Sequence, residues 1–215
     1  MADAAPDFGD GPPPRRYPNV KPSHAASMIV ADLSGPQPRF LMGQRSTAHV
    51  FMPGFLVFPG GRLERRERID CPVQPDDERL IERQASRKRL AKALLGCALR
   101  ETMEETGLDL SRNNAPMRYF ARAITPPGQV RRSDTRFFLT TIEDSEHLPI
   151  SPVDNELVAV NWFEQSQIPS DRLHRITKLV LEAAISRLSV DPMLLKQVKT
   201  PTHRFRYGKA VVEWE

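Results

Sequence analysis

The chain has 215 residues, 40% hydrophobic and 27% charged, which is the make-up of an ordinary globular domain. That length suits one domain with tails and leaves little room for two. The composition excludes collagen, a coiled-coil rod and a membrane bundle, and no apolar stretch approaches the ~20 residues of a spanning helix. Lys plus Arg number 31 against 27 Asp plus Glu, a net charge of +4. That mild excess suits an anionic small molecule and is too scattered to argue for nucleic acid. The N-terminus has no apolar h-region, so no secretory signal is visible. Two cysteines, Cys71 and Cys97, speak against a disulfide framework and for a reducing cytoplasm. No pair of the five histidines has zinc-site spacing.

Six prolines fall in the first 22 residues. Residues 1–23 are expected to be a flexible tail and the folded domain to occupy 24–215. Ala25 to Leu33 reads as a buried strand, Ser34 to Pro38 as a turn, and Arg39 to Gly43 as the hairpin partner. Phe55 to Phe58 is a short strand running into a tight turn at Gly60 and Gly61. Asp76, Asp77 and Glu78 after Pro75 start a helix through Ala85, since acidic groups suit the positive end of its dipole. Ser86 is read as the cap of a second helix, which begins near Arg87 and ends at Gly107. Tyr119 to Ile124, Thr135 to Thr141 and Leu157 to Phe163 read as strands. Ser170 to Leu188 reads as an amphipathic helix with Leu173, Ile176, Leu179, Val180, Ala183 and Leu188 on one stripe. Phe205 to Trp214 is taken as a last strand. This order predicts an α/β fold, a mixed β-sheet with helices packed on it.

The informative segment is Arg100-Glu101-Thr102-Met103-Glu104-Glu105-Thr106-Gly107-Leu108. On a helix, Glu101, Glu104 and Glu105 share one arc of about 100°. Like charges at that spacing destabilise a helix, so stability does not explain them. Clustered carboxylate oxygens are what a hard divalent ion requires. Arg100, four residues before Glu104, is placed to neutralise and orient it. A solvated acidic turn is the plainer account of a bare E-x-x-E-E, and more of the sequence is needed to set it aside.

That string resembles the second half of the Nudix box, R-E-U-x-E-E-x-G-U, in which U is a bulky aliphatic residue. Arg100, Glu101, Glu104, Glu105, Gly107 and Leu108 match, and Thr102 departs from the aliphatic position. The run from Phe58 to Glu67 looks like the first half, with Gly61 and Glu67 in its G-x5-E spacing. Residues 68 to 99 intervene where the family has seven, so about 25 residues (68–92) form a helical insertion inside the box. Loop length costs little, so both halves can still meet. Upstream, Leu41, Arg45, Ser46, Gly54 and residues 58–61 are similar to the signature of Nudix coenzyme A diphosphatases. Met42 and Gly43 depart from it, and Val50 stands where that family has a second Arg. The long insertion, and the run from Thr125 to Phe138, look like the branch that includes acyl-CoA diphosphatases.

The resemblance implies the Nudix fold, an α/β/α sandwich, and hydrolysis of a nucleoside diphosphate linked to another group, with coenzyme A or acyl-CoA as candidate substrates. It implies that Glu101, Glu104, Glu105 and the carbonyl of Gly60 hold Mg²⁺ or Mn²⁺. Arg100, Glu101, Glu104 and Glu105 are then the catalytic set. Arg45, Arg131, Arg132 and Arg136 are expected phosphate contacts. Glu143, Asp144, Glu146 and Glu156 stay open as general base beside the box glutamates. Phe51, Phe55, Phe137 and Phe138 are read first as core, and Cys97 as a small core residue. The expected partner is a small nucleotide diphosphate, not a membrane and not nucleic acid, and the resemblance allows a homodimer. The competing functions are a noncatalytic nucleotide-binding module and a hydrolase of ADP-ribose or NADH.

Overall fold

The computed structural model describes residues 20–46, 54–67, 70–111, 113–129, 131–148, 150, 156–206 and 209–215. The tail expectation for residues 1–19, and the readings of Val50 and Phe51, lie outside the described residues. Among those described, a mixed sheet carries helices on both faces, the α/β layering read from the sequence.

Strand β1 (Ser23–Asp32) organises the sheet. It runs parallel to β6 (Ser133–Ile142) over its whole length, from Ser23 opposite Ser133 to Asp32 opposite Ile142. Two partners share its other edge. Its C-terminal end pairs with β2 (Arg39–Arg45) and its N-terminal end with β4 (Gly60–Arg62). Flanked on both edges and covered on both faces, β1 has the near-continuous apolar run of a central strand. The sheet order is β3-β2-β1-β6-β5-β8-β9, where β3 is Leu56–Val57, β5 Arg118–Ile124, β8 Pro201–Arg206 and β9 Lys209–Trp214. Strand β7 (Leu157–Glu164) also pairs with β2.

Alternation along β1 and β6 sends side chains to two cores. Met28, Val30 and Phe138 pack beneath α1 (Pro75–Ala85) and α2 (Leu90–Thr106). Ile29, Phe137 and Leu139 pack beneath α3 (Arg175–Val190). Helix α1 lies within the insertion and is fastened to the sheet by Asp77. Its buried carboxylate accepts from Arg118 Nε at 2.8 Å and from the Tyr119 amide at 3.1 Å.

The structure differs from the sequence expectation at four places. Ser86 does not start the second helix. It closes α1 with φ 51°, its amide donating to the Arg83 carbonyl, and α2 begins at Leu90 after a second left-handed residue, Arg89. The glycine turn is also a strand, since Gly60, Gly61 and Arg62 ladder onto Ser27, Ala26 and Ala25. Helix α3 begins later and is rotated from the expected stripe. Thr177, Val180, Leu181, Ala184 and Leu188 are buried, whereas Ile176 and Leu179 are half-exposed toward a cleft. The last strand is a hairpin of two, because Pro201 to Arg206 pairs antiparallel with Lys209 to Trp214. Among the described residues, no helix is long and apolar enough to cross a membrane.

Candidate active site

Helix α2 sets the carboxylates, and its end is fixed by Gly107. That residue takes φ 76°, and its amide donates to the Met103 carbonyl at 2.9 Å. Thr102, which stands at an aliphatic position of the box, is fully buried. Its hydroxyl donates to the Ala98 carbonyl at 2.7 Å, so the helix satisfies the polar group within its own backbone. The same bond recurs from Thr106 to the Thr102 carbonyl at 2.6 Å.

The buried face of that last turn also carries Glu105, which is 0% exposed. One of its oxygens, Oε2, accepts from the Gly60 amide at 2.7 Å. The other, Oε1, is buried and makes no hydrogen bond. Burial pushes the Glu105 carboxyl up to about 8, against the opposing pull of the Gly60 amide and Arg45. Glu101 lies against Gly61 so closely that a Cβ there would stand 2.2 Å from Glu101 Oε1. Burial raises the Glu101 carboxyl too, although Arg100 lowers it. The double glycine therefore lets β4 approach α2 with one carboxylate on each residue.

Arg100 gathers the remaining acids. Its guanidinium lies 2.8 Å from Glu67 Oε1, 2.9 Å from Glu101 Oε1 and 2.8 Å from Glu104 Oε2. Glu67 thus returns to the box helix across the 32 intervening residues, and it does so onto Arg100. Burial would raise the Glu67 carboxyl, and the Arg100 hydrogen bonds outweigh it and hold the group below its ordinary range. Cys97 is fully buried one turn earlier, with its thiol pushed up by burial and facing the Gly61 carbonyl at 3.7 Å. That is the environment of an inert thiol.

A cleft of about 680 Å³ opens beside this corner, between the sheet and the start of α3. Gly60, Gly61 and Glu101 line one end, with Arg45 and Glu156. Arg45 Nη1 lies 3.0 Å from Glu156 Oε1. Arg131 and Arg132 line the cleft as well, and Arg132 is steadied by the carbonyls of Val20 at 2.8 Å and Thr125 at 3.0 Å. Arg136 is elsewhere. It is 0% exposed, turned to the α2 face of β6, paired with Asp134 at 2.8 Å and close to His24 Nδ1 at 3.1 Å. Strand register explains this, since Thr135 and Phe137 face the cleft and Arg136 between them faces away. Among the four open candidates for general base, Glu156 alone lines the cleft, while Glu146 pairs with Arg39 at 3.5 Å. Phe137 lines it too, and Phe55 meets the His174 ring edge-on at 6.2 Å.

Among the described residues, no three His, Cys, Asp or Glu side chains converge closely enough to hold an ion. Arg100 occupies Glu67, Glu101 and Glu104 instead. The donor set nonetheless fits a hard divalent cation. Glu105 Oε1 is a buried carboxylate oxygen lacking a hydrogen-bond partner, a costly arrangement that a cation would relieve. Glu101 is close by, with its charge opposed by Glu105.

Residues 91–183 match the family model of the NUDIX domain. Solved structures of similar fold include the NUDIX hydrolase of Alicyclobacillus acidocaldarius, at 24% identity and a TM-score of 0.55, covering 77% of this chain and 92% of that one. The NUDIX domain of Shewanella oneidensis NrtR, complexed with ADP ribose, superposes with a TM-score of 0.51 at 16% identity, covering 82% of this chain and 93% of that one. A Caenorhabditis elegans (C. elegans) Ap4A hydrolase binary complex gives 0.51 at 14% identity, covering 78% and 98%. No curated protein matches the sequence significantly. The fold is that of the Nudix hydrolases.

Proposed function

We propose that this chain is a divalent-metal-dependent hydrolase that cleaves the diphosphate bond of a nucleoside diphosphate linked to another group. Coenzyme A or acyl-CoA are its leading substrates, because Leu41, Arg45, Ser46, Gly54 and residues 58–61 resemble that signature. The observation that carries the reading is the corner itself. A half-buried carboxylate, Glu101, and a fully buried one, Glu105, stand against Gly61 and Gly60 at one end of a large cleft that also holds Arg45, Arg131 and Arg132.

Glu101, Glu104, Glu105 and the Gly60 carbonyl are the proposed ligands of Mg²⁺ or Mn²⁺, which when bound neutralises the diphosphate and acidifies a water. Arg45, Arg131 and Arg132 bind and orient phosphate oxygens. Arg136, buried against Asp134, takes no part in that contact. Arg100 orients Glu104 and Glu101. Glu156 is the acid best situated to receive the proton of the attacking water. Water oxygen bonds to phosphorus, the bridging P–O bond breaks, and two phosphate monoesters leave.

Incubation with Mg²⁺ and a mixture of coenzyme A, acyl-CoA, ADP-ribose, NADH and diadenosine polyphosphates tests the proposal, with products read by mass spectrometry. Release of 3′,5′-ADP by the protein and not by Glu105→Gln is the expected result. Release of AMP with ribose 5-phosphate, or with reduced nicotinamide mononucleotide, would instead replace coenzyme A with ADP-ribose or NADH. Tight binding without any turnover would replace the hydrolase with a nucleotide-binding module.

A further inference from the structure

The cleft is longer than a diphosphate needs, and its far end is built by β8 and β9, beyond residue 183 where the NUDIX match ends. Its floor is a single cross-strand row. Arg62 stands opposite Ala25, Ala25 opposite Thr135, Thr135 opposite Ala123, Ala123 opposite His203, and His203 opposite Val212. All six line the cleft. They lie on six successive strands at about 4.8 Å each, so the floor runs roughly 24 Å.

The chemistry changes along that row. At one end are Arg62, Glu101, Arg45 and Glu156. In the middle, Ala25, Thr135 and Ala123 are short, which leaves depth beneath α3. At the other end the C-terminal hairpin offers Val212 and Phe205, and α3 faces them with Ile176 and Leu179. Burial, and then Arg175, hold His203 below its ordinary value, which favours its neutral form, and Arg175 lines the cleft as well. Arg204 is paired with Glu213.

We propose that the β8–β9 hairpin and the first turns of α3 form a specificity subsite for an extended apolar arm carried on one side of the scissile diphosphate. The inference rests on the proposed hydrolase reading for the position of the diphosphate and goes beyond it in assigning the hairpin a ligand. The small side chains of Ala25, Thr135 and Ala123 are the channel along which the arm lies. The apolar side chains of Ile176, Leu179, Phe205 and Val212 take its end out of water.

The test uses ADP esterified at its β-phosphate with ethyl, hexyl or decyl chains. Calorimetry in EDTA gives each dissociation constant in the absence of turnover. In the unaltered protein the constant tightens by about 30-fold or more from ethyl to decyl. Val212→Asp, at a site already 46% exposed, and Ala123→Leu, which fills the channel, both flatten that series and leave the ethyl ester within about twofold. Equal affinity for all three esters, or a gradient that survives in both variants, overturns the subsite. A gradient that vanishes in the variants, together with no cleavage of any ester in Mg²⁺, supports the subsite and overturns the hydrolase reading alone.

Discussion

The Glu105 carboxylate accepts a 2.7 Å hydrogen bond from the Gly60 amide, joining the last turn of α2 to a strand 45 residues earlier. One bond thereby fixes the distance between the two halves of the box and leaves the second oxygen, Oε1, buried and unbonded. Glu105→Gln keeps the shape and removes the charge. The account predicts a fall in kcat of about 10²-fold or more with the fold intact, measured by turnover and circular dichroism. Unchanged turnover in this variant and in Glu104→Gln would contradict the site assignment.

The same carboxylate makes stability depend on pH. Its ordinary value is 4.5, and burial raises it to about 8 in the folded chain. Between those values the unfolded chain has released a proton that the folded chain retains, so stability falls as pH rises through that window. In metal-free buffer Glu105→Gln is therefore expected to melt higher than the unaltered protein at pH 8, by roughly 10 °C, with the gap closing toward pH 4.5. Thermal melts across the pH range check both the sign and the window.

The two glycines are predicted to fail differently. At Gly61 an added Cβ meets the end of the Glu101 side chain at 2.2 Å, which a rotamer change relieves. Gly61→Ala should keep its melting temperature within a few degrees and lose about tenfold or more in kcat. At Gly60 the added Cβ meets the Ala26 carbonyl oxygen at 2.5 Å and Ser27 Cα at 2.6 Å, which are backbone atoms. Gly60→Ala should cost about 3 kcal/mol of stability, read from denaturant melts. Equal behaviour of the two variants would contradict the geometry.

Asp77 ties the inserted helix to the sheet. Asp77→Ala removes the buried acceptor of Arg118 Nε and of the Tyr119 amide, and leaves the guanidinium only the Leu194 carbonyl. The expected loss is about 3 kcal/mol in chemical denaturation. A loss below about 0.5 kcal/mol would mean that the insertion is docked by its apolar residues alone.

Much of the fold was legible because it rests on local signals. The apolar run of β1, the acidic start of α1 and the Gly107 stop of α2 are each readable in a few residues. At the candidate site, what was legible is the helical spacing that sets Glu101, Glu104 and Glu105 on the last turns of α2. It was illegible where a strand decides direction. The sequence of β6 does not say that Thr135 and Phe137 face the cleft and Arg136 the core, because residues of both kinds alternate with buried neighbours on a strand covered on both faces. Glu67 was illegible for another reason. Its place on Arg100 depends on the path of the insertion, a long-range closure with no local signature. The pairing of Pro201 to Arg206 with Lys209 to Trp214, which makes the C-terminal wall of the cleft, has no local signature either.

The most direct test of the central claim, that these carboxylates form a divalent-cation site, is a calorimetric titration of the purified protein with Mn²⁺ at pH 8. The account predicts saturable binding to the unaltered chain that weakens about tenfold or more in both Glu101→Gln and Glu105→Gln. Binding of equal strength in all three proteins, or none in the unaltered one, would contradict it.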